Sequence, residues 1–277
     1  MFFLSTTFIS ILFALFGLIV GSFLNVVILR HNKKTLGGRS ECPHCHKQLA
    51  WYELIPVVSF LIQAGKCRGC KKQISTQYSI VELITAFVFF VSGFYLQNYI
   101  ITLHHPLLSI IAVISFLTTV SYAIIISVYD IKTKLVPLVW FIGLVVSSII
   151  FLINYYVIIG FYAPSLLPHL VGLIICTPFL FIWIISGGKW IGFADIEIIA
   201  WIGLCLGAFS GIMTVLSAFY MGALFAILFI IFKKLLGFSY KTIRTIQIPF
   251  TPFLILAWFI STVSSWDFFS LITSFFL

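Results

Sequence analysis

The chain has 277 residues, of which 62% are hydrophobic, 18% aromatic and only 8% charged, and its mean hydropathy is +1.20. Such a balance excludes a soluble globular domain, because too few polar residues remain to cover its surface. Lys and Arg total 16 against 7 acids, a net charge of +9. These basic residues flank apolar runs, as topology determinants do, so the charge argues for a membrane and against nucleic acid as partner.

In chain order, residues 1–29 lack a basic n-region and stay apolar past the point where a small-residue cleavage site would fall. They are read as a retained span and not as a signal peptide. Hydropathy predicts about eight spans, near 8–29, 80–97, 107–128, 136–158, 169–186, 195–210, 212–232 and 248–265. The fold class is therefore an all-α polytopic membrane protein. A turn is expected around Gly207-Ala208-Phe209-Ser210-Gly211. The four-residue spacings Gly17/Gly21, Gly203/Gly207 and Gly207/Gly211 are read as close helix packing, and no internal repeat stands out. Three regions follow: the first helix at 1–29, a loop at 30–79, and the remaining helices at 80–277.

Threading the spans alternately puts all 16 basic residues on one side. The positive-inside rule makes that side cytoplasmic and the N-terminus external. Loop 30–79 falls on this cytoplasmic side and is too short for a core of its own without a staple. It carries Cys42-Pro43-His44-Cys45 and Cys67-Arg68-Gly69-Cys70, separated by 21 residues. Two such knuckles suit a tetrahedral, structural zinc, each giving two thiolates from one tight turn. His44 and His46 are read as neighbours of a shell already complete. Cys176 and Cys205 lie in apolar runs and are read as small apolar filler.

Two aspartates fall on the same cytoplasmic boundary: Asp130 at the end of the third span and Asp195 at the start of the sixth. Asp267 falls on the opposite side. An ionisable group there is costly to desolvate, and two carboxylates together would make a water-activating acid/base pair. Alternative readings are a cap or a Lys132 or Lys134 partner for Asp130, and a macrodipole contact for Asp195. A non-enzymatic assembly protein or a proton-coupled transporter would use the carboxylates in those other ways. The transporter would favour midplane carboxylates and paired halves, and this sequence has neither.

Several motifs together resemble one family. They are Gly21-Ser22-Phe23-Leu24-Asn25-Val26-Val27, the two cysteine pairs, and Trp51-Tyr52-Glu53-Leu54-Ile55-Pro56-Val57-Val58-Ser59 between them. Gly65-Lys66-Cys67-Arg68, Val81-Glu82-Leu83, Asp130 before Val136-Pro137, and Ile248-Pro249-Phe250-Thr251-Pro252-Phe253 complete the set. Over nearly its whole length the chain is similar to the bacterial type IV prepilin peptidases, the prepilin leader peptidase/N-methyltransferases of the G-x-G-D class. The resemblance implies that Asp130 and Asp195 form a catalytic dyad, with prepilins and pilin-like secretion proteins as substrates. It further implies cleavage after a glycine, methylation of the new amine with S-adenosylmethionine, and a home in the bacterial cytoplasmic (inner) membrane. Glu53 and Glu82 are then candidate contacts for the methyl donor. A peptidase without methyltransferase activity is the runner-up. Three positions depart from the family pattern. Gly192-Phe193-Ala194-Asp195 stands for G-x-G-D, Glu197 stands where the family has lysine, and Thr251 replaces a glycine. Alanine at 194 would be resisted only if that position needs a positive φ. Glu197 would add negative charge beside the pair.

Overall fold

The computed structural model describes residues 2–31, 37–101, 106–158, 167–236 and 247–264; Lys241, Arg244 and Asp267 lie outside them. The described helices are α1 Phe2–Arg30, α2 Val58–Ile62, α3 Gln77–Ile101, α4 Pro106–Thr133 and α5 Leu138–Ile158. There follow α6 Leu167–Gly172, α7 Thr177–Ser186, α8 Phe193–Leu235 and α9 Thr251–Ser264. Short 3₁₀ turns occupy Trp51–Glu53 and Leu173–Cys176, the second joining α6 to α7. Six stretches are long and apolar enough to cross a membrane: Thr6–Arg30, Gln77–Gln97, Pro106–Thr133, Leu138–Val157, Leu167–Ser186 and Phe193–Leu235. Large apolar side chains such as Phe8, Ile19, Phe87, Ile114 and Val139 point away from the protein along them. Helices apolar on every side, with bulky groups facing outward, belong in lipid. The protein is a polytopic integral membrane protein.

The chain forms two compact units, residues 1–125 and 126–277. In the first, α1 and α3 run antiparallel along a seam of small residues. A Cβ on Gly17 would meet Ala86 Cα at 2.8 Å, and one on Gly21 would meet Glu82 Cα at 2.8 Å; Gly93 lies equally close to Ser10. The Gly17/Gly21 spacing is therefore a packing device, as the sequence indicates. At the end of this seam the Asn25 amide donates to the Tyr78 carbonyl at 3.0 Å and to that of Gly21 at 3.2 Å.

In the second unit α8 is not one rod. Gly207 has φ 78° and ψ 179°, a conformation open to glycine. Residues eight apart in a straight helix are separated by about 12 Å along its axis. A Cβ on Gly211 would nevertheless come within 3.2 Å of Gly203 Cα. The chain reverses at Gly207, and the two arms of α8 are the sixth and seventh predicted segments. Gly203 and Gly211 do serve packing, whereas Gly207 makes the turn. Gly203 also lies backbone against backbone on Gly172 of α6. The Leu204 carbonyl, in the last turn before the reversal, accepts a hydrogen bond from His169 Nδ1 at 2.8 Å. A carbonyl can only accept, so the proton sits on Nδ1, and Nε2 accepts from the Tyr156 hydroxyl at 2.6 Å. The first arm is deeply packed: Ile198, Ile199, Trp201 and Ile202 are buried, and Trp201 Nε1 donates to Ser148 Oγ at 2.9 Å.

Any side chain at Gly203 must push α6 and α8 apart. Gly203→Ala is expected to destabilise the protein by about 1–3 kcal/mol, read as a lowered midpoint of thermal unfolding in detergent. Gly222→Ala, whose Cβ would find its nearest neighbour at an ordinary 3.5 Å, is expected to leave the midpoint in place. Equal midpoints for the two variants would remove this close contact from the account.

Candidate active site and thiol cluster

Asp130 lies in the last turn of α4 and is only 7% exposed. The helix ends just beyond it because Lys134 turns to φ 58° and sends its N–H back to the Asp130 carbonyl at 2.8 Å. Thr133 Oγ1 bonds the Tyr129 carbonyl at 2.9 Å, and the Tyr129 ring meets Trp140 of α5 edge-on at 4.9 Å. Lys134, one alternative partner for Asp130, gives its ammonium to Gln247 Oε1 at 2.8 Å and acts on Asp130 only through its field.

Asp195 sits in the first turn of α8, after an extended Gly192 at φ −71° and ψ 143°. That φ suits any residue, so the requirement for glycine is one of space: a Cβ there would press on Asp195 Oδ2 at 3.3 Å. Ala194 is an ordinary helical residue, so its methyl replaces the family glycine without backbone strain. Glu197 follows Asp195 by two helical positions, about 200° round the helix, and so points to a different face.

The third component is the start of α9. Phe250 packs on Phe219 at 4.7 Å and Phe253 on Phe225 at 5.4 Å, both from the second arm of α8. Between these anchors Thr251 is 1% exposed, and its hydroxyl donates to Asp195 Oδ1 at 3.1 Å. Asp130 comes close enough to Thr251 and to the Asp195 carboxyl to interact electrostatically with both. The structure thus brings Asp130 and Asp195 into one neighbourhood. Thr251 stands out in the sequence only as a departure; its hydrogen bond to Asp195 is visible only in the fold.

In the first unit the four thiols Cys42, Cys45, Cys67 and Cys70 lie with all Sγ atoms within 4.8 Å of one another. Cys42 and Cys70 are 3.9 Å apart, and Cys45 and Cys67 4.0 Å. Four sulfurs about 2.3 Å from a central ion at tetrahedral angles would stand about 3.8 Å apart. These residues can therefore hold a metal ion. The two knuckles are the same backbone unit used twice. Cys42 N–H bonds the Lys47 carbonyl and Cys67 N–H that of Lys72; His46 and Lys71 both adopt positive φ; and bridges Glu41–Gln48 and Lys66–Gln73 close the two turns. The expectation of no internal repeat is corrected here: Cys-x-x-Cys-x-Lys-Gln recurs with an offset of 25 residues. The N–H groups of Cys70 and Gly69 draw the Cys67 thiol down to about 6, whereas against the pull of the Lys47 backbone, burial and the three neighbouring thiols push that of Cys45 up to about 11. His44 is exposed, and His46 Nδ1 stands 3.6 Å from Glu41, outside the thiol set.

Glu53 and Glu82 lie in the same unit. Glu53 Oε2 accepts the Ala50 N–H at 2.9 Å, and Lys47 approaches its other oxygen at 3.5 Å. The Ala50 N–H first, then Lys47, hold this carboxyl below the usual carboxylate range. Glu82 accepts the N–H of Val57 at 2.8 Å. Val57 is a β-branched residue at φ 61°, which costs strain that this charged hydrogen bond helps to hold.

Helices fit for a bilayer, with two carboxyl groups near one another where helices end, define a polytopic membrane protein that carries a polar cluster at helix ends. Residues 15–96 match the bacterial peptidase A24 N-terminal domain, and residues 117–227 match the type IV leader peptidase family. A prepilin leader peptidase/N-methyltransferase of Bacillus subtilis (strain 168) is 32% identical over 251 residues, 88% of this chain and 89% of that one. The chain belongs to the type IV leader peptidase family. Proteins of the same name from Myxococcus xanthus (strain DK1622) and Vibrio cholerae serotype O1 are 51% identical over 85 residues and 45% over 83. These matches are local, covering 28% and 26% of this chain and only 25% and 33% of those proteins. No solved structure matches the chain.

The thiol geometry predicts one tightly held metal ion per purified chain, counted by mass spectrometry of the elements present. Cys67→Ser is expected to lower the metal content severalfold. Full metal content in that variant would show that the four thiols do not act as a set.

Proposed function

We propose that this chain is a membrane aspartic endopeptidase that removes the leader from type IV prepilins and pilin-like secretion proteins. The observation that carries the reading is the nearness of Asp130 and Asp195, the second held by the Thr251 hydroxyl. One carboxylate takes a proton from water as the water oxygen bonds to the scissile carbonyl carbon. The other, protonated, polarises the carbonyl and then supplies a proton as the C–N bond breaks and the amine leaves. Glycine at 192 leaves room for the Asp195 carboxylate to work.

The names of the relatives, prepilin leader peptidase/N-methyltransferase, support the substrate class and a second activity, methylation of the new N-terminal amine; S-adenosylmethionine is the methyl donor of this reading. The site is read as cytoplasmic, in the inner membrane, with the N-terminus outside and the basic residues inside. The two arms of α8 and the short α9, counted separately, make up eight segments. Zinc is the ion that four thiolates at this separation suit, and in a closed shell it is structural: it would tie two knuckles of a loop that has little core. Glu53 and Glu82 are read as residues that order this loop, since each accepts a loop backbone N–H. Their part in any methyl transfer is then indirect.

The test is mass spectrometry of a prepilin incubated in detergent with the full chain and S-adenosylmethionine. Loss of the leader with gain of one methyl is expected. Asp130→Asn and Asp195→Asn should each lower cleavage by about 10³-fold or more. Cleavage that survives either substitution would remove the dyad, and a cleaved but unmethylated product would leave a peptidase alone. A second outcome concerns Gly192→Ala. It is expected to fold normally and to lose about tenfold to a hundredfold in kcat, because small misplacement of a catalytic group is costly. An unchanged kcat would show that the space beside Asp195 Oδ2 is not needed.

A further inference from the structure

The geometry points to α2 as an interfacial anchor that seats the thiol-bearing loop on anionic phospholipid of the surrounding bilayer. In α2, Val58, Leu61 and Ile62 share one face through the three- and four-residue spacing of a helix. All three are exposed, Leu61 and Ile62 at 69% each. The other side turns inward: a Cβ on Gly65 would meet the Phe60 ring at 3.1 Å, so that ring covers the turn leaving the helix. Leu54 and Ile55 just before α2 are exposed too, and Trp51 is 77% exposed. An apolar patch of this kind on a small ordered loop calls for a cover.

Its place in the fold says what covers it. The Val57 N–H, at the start of α2, bonds Glu82 at 2.8 Å. Glu82 lies about 7.5 Å along the axis of the spanning segment Gln77–Gln97, and helical side chains lean back towards the helix start. That hydrogen bond therefore fixes α2 at the level where α3 enters the bilayer. At the same level the outer face of α3 carries exposed Ile80, Leu83 and Ile84, with Phe87 a turn further on. The lipid-facing surface of α3 thus begins at the height of α2. A helix this short would bind a membrane poorly from solution. Here the chain already holds it at the surface, so the effective concentration of lipid is high.

Charge selects the kind of lipid. Lys66, Arg68, Lys71 and Lys72 follow α2 directly, and all are exposed. Arg68 lies over the Tyr52 ring at 5.0 Å, and Tyr52 meets Trp51 edge-on at 5.8 Å, which ties the second knuckle to the aromatic pair. Residues 37–76 hold six Lys and Arg against two Glu. Four thiolates on a divalent ion would remove two charges and leave the loop cationic. Apolar side chains flanked by Trp, Tyr and cations are what an interfacial segment offers to anionic headgroups.

The test uses the full chain in nanodiscs of phosphatidylglycerol with a trace lipid bearing a photoactivated diazirine high in its acyl chain. Adducts are mapped by mass spectrometry of the peptides. They are expected on residues 54–62 as well as on 80–87, which serve as the reference within the same chain and report that the helices are folded. Leu61→Gln combined with Ile62→Gln should lower the α2 adducts about tenfold relative to those on α3. Replacing phosphatidylglycerol by phosphatidylcholine should lower them about threefold. Adducts on α3 with none on α2 would overturn the anchor, and so would full labelling of α2 in the double glutamine variant. Equal labelling of α2 in the two lipids would overturn the choice of an anionic partner. If adding a prepilin removes the α2 adducts and keeps those on α3, the face belongs to a peptide segment and lipid is overturned as its occupant.

Discussion

A carboxyl group at the end of an apolar helix must find its hydrogen-bond donors inside the protein, because lipid supplies none. The donor seen here stands at a helix start. α9 begins at Thr251, and the hydroxyl of that first residue goes to Asp195 at 3.1 Å. Pro252 brings no N–H, and those of Phe253 and Leu254 both return to the Phe250 carbonyl. Asp195 lies in the first turn of α8, where a negative charge is also favoured by the helix dipole.

That arrangement depends on a reversal far along the chain. Because Gly207 turns α8 back on itself, its second arm returns beside the first and offers α9 a surface of aromatic rings. The Thr214 hydroxyl donates to Ser261 at 2.8 Å, and Trp201 of the first arm meets Trp258 at 4.6 Å, so α9 is gripped by both arms. The reversal in turn exposes the Leu204 carbonyl, which His169 Nδ1 satisfies while the Tyr156 hydroxyl holds the other ring nitrogen. A buried histidine with both nitrogens engaged is thus the counterpart of a glycine turn, and the position of Thr251 follows from both.

What could be read from the sequence was what is rare in it. Among 7 acids, Asp130 and Asp195 stand out at span ends, and four cysteines in one polar loop announce a thiol cluster. The apolar runs mark the helices for the same reason, since lipid demands them. What the sequence concealed has a common cause: one residue type serves several purposes. Glycines four apart are packing positions at Gly17 and Gly21, but at Gly207 the same spacing is a turn. That Glu53 and Glu82 each accept a backbone N–H is likewise something no sequence displays. The knuckle repeat was overlooked because only its cysteines and a Lys-Gln pair recur while the residues between them differ. Ala194 raised a question of backbone strain that only its helical placement answers.

Thr251 belongs to that hidden group, and its substitution for the family's glycine has a physical consequence. With glycine, the space beside Asp195 would lose a methyl and a hydroxyl, room enough for a water, which needs about 30 Å³. A water there has two protons and two lone pairs and can turn to suit whatever it meets. The threonine hydroxyl is fixed to a buried helix start held by rings on both sides, so it keeps its bond to Asp195 Oδ1 without the cost of immobilising a solvent molecule.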